Sequence, residues 1–236
     1  MFKIEQLNVQ YHHKDVLKNI HYTTPVTGNI VGIMGPNGAG KSTLIKAILG
    51  FAPSIGNCTL FGKPIQSQLD TIGYIPQKSH IDLDFPITVQ NMIRLGGCTK
   101  KRFFKRTAQL RVDKVIQSLK LEDIKHRTLN TLSGGQLQRV IIARALIEEK
   151  AVYFLDEPFV GIDFLSQEII IDQLKLLKSQ GKLIFIVHHD LESAKSLFDN
   201  IIWLNQTILK SGPVHKVFTD EWISNTYLGG AYSCHL

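Results

Sequence analysis

Cysteine is scarce: Cys58, Cys98 and Cys234 are the whole complement in 236 residues. Their scattered spacing fits neither a zinc site nor a disulfide framework, and Cys234 beside His235 reads as a frayed tail rather than a ligand pair. Long apolar runs are also missing, so no stretch approaches the ~20 residues of a membrane span. The opening Met1-Phe-Lys-Ile-Glu-Gln6 lacks the charged, apolar and small-residue order of a signal peptide, so the chain is expected to work inside the cell. Internal repeats, low-complexity tracts and a second phosphate loop are absent. Acidic residues are outnumbered, with 20 Asp and Glu against 27 Lys and Arg, a net charge of +7. A hydrophobic share of 44% in a chain of this length supports one substantial core and one domain, 1–236.

What is present begins with Gly35-Pro36-Asn37-Gly38-Ala39-Gly40-Lys41-Ser42-Thr43, which fits Gly-x-x-x-x-Gly-Lys-Ser/Thr. Glycines let backbone N–H groups converge on phosphate oxygens; Lys41 brings positive charge to the β and γ groups of a triphosphate, and the Ser42 hydroxyl ligates Mg²⁺. The flanks agree. Asn29–Met34 reads as a short buried strand and Ser42–Leu49 as a helix with Gly50 at its C′ position, so the phosphates sit at a helix N-terminus.

A second anchor is Ala151-Val-Tyr-Phe-Leu155, an apolar run suited to a central parallel strand, ending in Asp156-Glu157. Two carboxylates at a strand's edge can divide the work: Asp156 holds Mg²⁺ and Glu157 polarises the water that attacks the γ-phosphate.

At these positions the chain resembles the nucleotide-binding subunits of ABC transporters over nearly its whole length. Gly35–Thr43 is similar to the family's Walker A motif, Val152–Glu157 to Walker B, Gln77 to the Q-loop glutamine, Gly161-Ile-Asp163 to the D-loop, and Leu132-Ser133-Gly134-Gly135-Gln136 to the family signature. The resemblance assigns Gln77 to Mg²⁺ and γ-phosphate sensing, and Tyr11 to stacking on adenine. His189, directly before Asp190, resembles the switch histidine. Successive strand residues face opposite ways, so His188 is then a packing or solvated residue. His12 and His13 read as loop histidines.

Ser133 and Gly135 sit at the start of a second helix, reading Val140–Ile147, which is another anion-favouring dipole end. One chain cannot easily fold both anion sites onto one γ-phosphate. The resemblance implies a head-to-tail homodimer in which Walker A of one subunit and the signature of the other sandwich each ATP. It also implies the fold: an α/β phosphate-loop NTPase of the ABC type, with a RecA-like mixed, largely parallel sheet and an antiparallel β subdomain. It further implies that residues 1–80 and 150–236 form the catalytic core, and that 81–149, nearly all helical in pattern, are an inserted signalling subdomain docking membrane permeases near Phe85-Pro86 and Asp82–Asp84. A separate extracytoplasmic binding protein would choose the cargo.

The positive excess concentrates in Lys100–Arg106 with Arg111 and Lys114, on one amphipathic helix. A solvated face and the anionic cytoplasmic face of a membrane both fit; no aromatic platform accompanies the charge, so nucleic acid is not expected. The segment Tyr74–Phe85-Pro86 and Phe159-Val-Gly-Ile-Asp163 resemble ATPases of manganese, zinc and iron importers. The alternatives are an ABC ATPase moving iron chelates or another small cargo, in or out, and a soluble ABC-type ATPase of translation or DNA repair. Gly212-Pro213 reads as a turn.

Overall fold

A computed structural model describes residues 1–12, 14–77, 85–97 and 105–227, with side chains of 105–108 excepted. His13, Asp82, Asp84, Cys98, Cys234, His235 and most of the basic run 100–106 lie outside it.

Two sheets meet across one α-helix. The smaller is antiparallel, in the order β2-β1-β4-β5, from β1 (Phe2–Tyr11), β2 (Lys14–Thr24), β4 (Ile55–Leu60) and β5 (Lys63–Pro64). The larger runs β10-β9-β3-β8-β7-β6, from β3 (Asn29–Met34), β6 (Ile72–Ile75), β7 (Val152–Asp156), β8 (Leu183–Val187), β9 (Asn200–Asn205) and β10 (Thr207–Pro213). All of its neighbours are parallel except β10 on β9. The mixed α/β architecture expected from the sequence is present.

Central strands covered on both faces read as unbroken apolar runs, and here the period of two divides them between two cores. Ile30, Met34, Tyr153, Leu155, Ile184, Ile186, Ile201 and Trp203 face the helical side. Val31, Ile33, Val152, Phe154, Leu183, Phe185, Val187, Ile202 and Leu204 face α1 (Lys41–Ile48) and the antiparallel sheet. On that second side Phe154 stacks on Phe185, with centroids 4.9 Å apart at 8°, and Phe2 tilts against Phe185 at 5.0 Å. Such pairs add roughly 0.5–1.5 kcal/mol each beyond the area they bury.

The helical side carries α2 (Val89–Leu95), α3 (Lys105–Ser118), α4 (Gly134–Leu146) and α5 (Phe164–Ser179). Gly96 is where α2 meets α4: a Cβ built there falls 1.9 Å from the Arg144 carbonyl oxygen. The stretch between α3 and α4 is not the continuous helix its pattern suggests. It forms only short 3-10 turns at Glu122–Ile124 and Leu129–Thr131, because Thr88 bridges to Thr128 and the Val89 and Gln90 N–H groups bond to Arg127 and Lys125 carbonyls. The chain closes with α6 (Leu191–Leu197), α7 (Val214–Val217) and α8 (Asp220–Tyr227). Gly212-Pro213 is the end of edge strand β10, paired with Ile201 and Asn200, and not a free turn; an edge tolerates the donor that proline lacks.

Candidate nucleotide site

Register explains why distant residues converge. Asp156 lies opposite Val187, Val187 opposite Ile33, and Leu155 opposite Ile75. The chain therefore leaves β3, β7, β8 and β6 at the same sheet edge, and the next residues out are the phosphate loop, Glu157, His188-His189 and Gln77.

The loop is built by its glycines. Gly35 (φ 157°) presses on β9, where a Cβ would fall 2.0 Å from the Leu204 carbonyl oxygen. Gly38 (φ 80°) and Gly40 (φ 94°) hold left-handed conformations that side-chain-bearing residues avoid, and Gly38 borders open space. Asn37 and Gly38 are exposed, Pro36 and Thr43 half-buried, and Ala39 buried. α1 starts at Lys41 and ends in a Schellman motif: Gly50 N–H donates to Ala47 O and Phe51 N–H to Lys46 O.

Lys41 Nζ donates to the Gly35 and Pro36 carbonyls at 2.8 and 2.9 Å, so the ammonium lies folded across the loop. Burial pushes its pKa down, opposed by the Glu157 and Asp156 carboxylates. Ser42 Oγ donates to Asp156 Oδ1 at 2.8 Å. Asp156 is 2% exposed, and burial pushes its carboxyl up; the Ser42 hydrogen bond opposes this, and neighbouring Glu157 adds to the rise. Gln77 Nε2 donates to Glu157 Oε2 at 2.8 Å, and Glu157 itself takes a left-handed φ of 51°.

His188 and His189 part as the strand period requires. His188 is 5% exposed and packed edge-on against Phe159 and Phe198; burial pushes its pKa down to about 4. His189 is exposed and lines a cleft of about 200 Å³ with Glu157, Gly161, Gln167 and Asp190. Tyr11, 40% exposed, ends β1 opposite Lys14 in the β1–β2 hairpin. That hairpin reaches the phosphate loop: a Cβ on Gly40 would meet Leu17 and the Val16 carbonyl.

At the signature, Ser133 caps α4 in a full capping box: Gln136 N–H donates to Ser133 Oγ at 3.2 Å, and Ser133 N–H to Gln136 Oε1 at 3.0 Å. Ser133 and Gly134 are exposed, so the helix start faces outward. Gly135 is buried against Asp163, which caps α5 by accepting from the Ser166 N–H and hydroxyl, both at 2.8 Å. Signature and D-loop residues thus form one packed unit, joined where Gly135 meets Asp163 and Ser166.

Several supporting residues gave no signal in the sequence. Gln206, in the β9–β10 turn, donates its N–H to Ala39 O at 3.0 Å and accepts from Lys18 N–H at 2.8 Å, tying the loop to β2. Arg139 donates to the Leu119 and Lys120 carbonyls and lies near Asp163. Tyr227, half-buried, brings its hydroxyl beside the Gly35 backbone.

A glycine-built phosphate loop, a strand-end Asp-Glu pair and an exposed histidine on one parallel edge define a phosphate-loop nucleotide-binding protein. Residues 17–160 match the family described as "ABC transporter", and the chain belongs to that family. It is 43% identical over 230 residues, covering 96% of this chain and 92% of the other, to the "Manganese transport system ATP-binding protein MntB" of Halalkalibacterium halodurans. It is 37% identical to the "Zinc transport system ATP-binding protein TroB" of Treponema pallidum, covering 99% and 89% of the two chains. A solved "Dimeric structure of a post-hydrolysis state of the ATP-binding cassette MJ0796 bound to ADP and Pi" superposes with a TM-score of 0.79 at 25% identity, covering 91% of this chain and 99% of that one. No helix among the described residues is long and apolar enough to cross a membrane.

Proposed function

We propose that this chain is the ATP-hydrolysing subunit of an importer for a divalent metal ion, manganese, zinc or iron. It works as a head-to-tail homodimer on the cytoplasmic side of a membrane, beneath permease subunits and served by an extracytoplasmic binding protein. The carrying observation is the cluster at the parallel sheet edge, where Ser42 bonds Asp156 and Gln77 bonds Glu157. The named relatives support the cargo class.

Each side chain has a task that its placement supports. Lys41 exchanges the Gly35 and Pro36 carbonyls for β- and γ-phosphate oxygens, and N–H groups of the loop and first turn of α1 complete the cradle. Ser42, Asp156 and Gln77 supply the hard oxygen donors that Mg²⁺ takes, and the buried Asp156 gains a compensating charge when the ion is present. Bound there, Mg²⁺ neutralises charge on the phosphates. Glu157, released from Gln77, accepts a proton from the attacking water, and His189, lining the same cleft, contacts the γ-phosphate. Tyr11 stacks on adenine. Ser133, Gly134, Gly135 and Gln136, with Asp163 behind them, meet the γ-phosphate held by the partner subunit. Loss of that phosphate removes the bridging charge and opens the dimer.

The test is elemental analysis of manganese, zinc and iron in cells whose own copy is replaced by wild type or Glu157→Gln. Loss of uptake of one metal in the variant is the expected result. Unchanged content of all three would reject the metal assignment.

A further inference from the structure

The residues on either side of His189 are joined to each other. His188 Nε2 lies 2.8 Å from the Ser193 hydroxyl, and that hydroxyl donates to the Asp190 carboxylate. Ser193 has one hydroxyl proton and gives it to Asp190, so towards the ring its oxygen can only accept. His188 must therefore carry its proton on Nε2. Asp190 in turn caps α6, accepting from Glu192 N–H at 3.1 Å and Ser193 N–H at 3.2 Å.

The same ring reaches the other elements of the site. Its backbone N–H donates to Ile33 O at 3.1 Å, on the strand that feeds the phosphate loop. Its edge meets Phe159, two residues beyond Glu157, at 5.6 Å between centroids, and Phe198 at the same distance. A phenylalanine would fill this aromatic slot without the cost of burying a polar ring. The imidazole supplies the one thing a phenyl lacks, an N–H aimed at Ser193.

We propose that His188, Ser193 and Asp190 form a positioning relay that fixes the backbone on both sides of exposed His189 and holds it in register with the phosphate loop and the Glu157 turn. His188 itself does not touch nucleotide. The relay rests on the reading of His189 as the residue facing the γ-phosphate; its value is geometric, since a misplacement of ~1 Å can cost about 100-fold in rate.

The experiment is steady-state ATP hydrolysis by the full chain carrying His188→Phe, His188→Gln, Ser193→Ala or His189→Ala, each checked by thermal melting and by binding of a fluorescent ATP analogue. His188→Phe and Ser193→Ala are expected to lower kcat about tenfold or more with KM within about twofold of wild type. His188→Gln, whose amide N–H can reach the same hydroxyl, is expected to recover most of the loss. Nitrogen NMR of the wild-type protein should find the His188 proton on Nε2. Should His188→Phe fail to fold, Ser193→Ala and the NMR assignment decide. Wild-type kcat in Ser193→Ala and His188→Phe, alongside loss in His189→Ala, would overturn the relay alone, as would a proton on Nδ1. Wild-type kcat in His189→Ala would overturn the role of His189 and the relay with it.

Discussion

Acid should unfold this protein partly through a single side chain. His188 is buried against two phenylalanines, and burial pushes its pKa from the ordinary 6.5 down to about 4. The unfolded chain therefore binds a proton between those values that the folded chain refuses. The stabilisation is complete above about pH 6.5 and is lost as pH falls towards 4. A shift of that size corresponds to about 3 kcal/mol in total, of which about 2 kcal/mol is gone by pH 5. For a domain of this length that is a fall in Tm of roughly 4–8 °C. Other groups titrate over the same range, so the reading must be differential: urea unfolding of wild type and His188→Gln at intervals from pH 7.5 to 4.5. The stability of wild type relative to the variant should fall by about 2 kcal/mol between pH 7.5 and 5. A difference that stays flat with pH would refute the argument, because it would mean that the ring titrates as freely folded as unfolded.

Substitutions at three further positions probe separate parts of the molecule. Gly96→Ala forces a Cβ to within 1.9 Å of the Arg144 carbonyl oxygen and should cost about 1–3 kcal/mol in urea unfolding while leaving ATP-analogue affinity within about twofold. Lys41→Ala removes the ammonium that lies across the loop and should abolish analogue binding in a fluorescence titration, with little change in the melting curve. Ser133→Ala loses the α4 cap and should cost about 1 kcal/mol, whereas Ser133→Arg should keep monomer binding of nucleotide but block ATP-dependent dimerisation in light scattering.

The legible parts of the site were those written in short stretches. β3 and β7 fall where apolar runs predicted strands, and Gly50 occupies C′ of α1 because only a left-handed residue closes that motif cheaply. The separation of His188 from His189 followed from strand alternation. What stayed hidden is set by pairing between distant segments. Nothing local says that Ile75 lies opposite Leu155, and without that register the Gln77–Glu157 bond, across 80 residues, has no signal. Ser193 and Gln206 were silent for the same reason: a serine in a helical first turn and a glutamine in a strand turn are ordinary until their partners are known. The Gly212-Pro213 pair misled, since turn chemistry and edge-strand chemistry share residues. Peptide groups of the 120–133 stretch paired with α2, which overrode its helical pattern.

Glu157 holds a backbone conformation that stability alone would not choose. It sits one position past β7 with a φ of 51°, a region that costs side-chain-bearing residues ~1 kcal/mol or more and glycine almost nothing. Removing the carboxylate also removes the Gln77 hydrogen bond, so comparison with wild type mixes two effects. Comparing Glu157→Gly with Glu157→Ala cancels the second, because both variants lose the bond. In ordinary backbone, alanine is the more stable of the pair, since glycine gives up more freedom on folding. Here the order should invert, with the glycine variant more stable by about 1 kcal/mol in urea unfolding of the nucleotide-free protein and neither variant hydrolysing ATP. An alanine variant as stable as the glycine one, or more so, would mean that the backbone at 157 is relaxed in solution. In that case the carboxylate would be held towards the site by Gln77 alone, and the strained turn would have no part in aiming it.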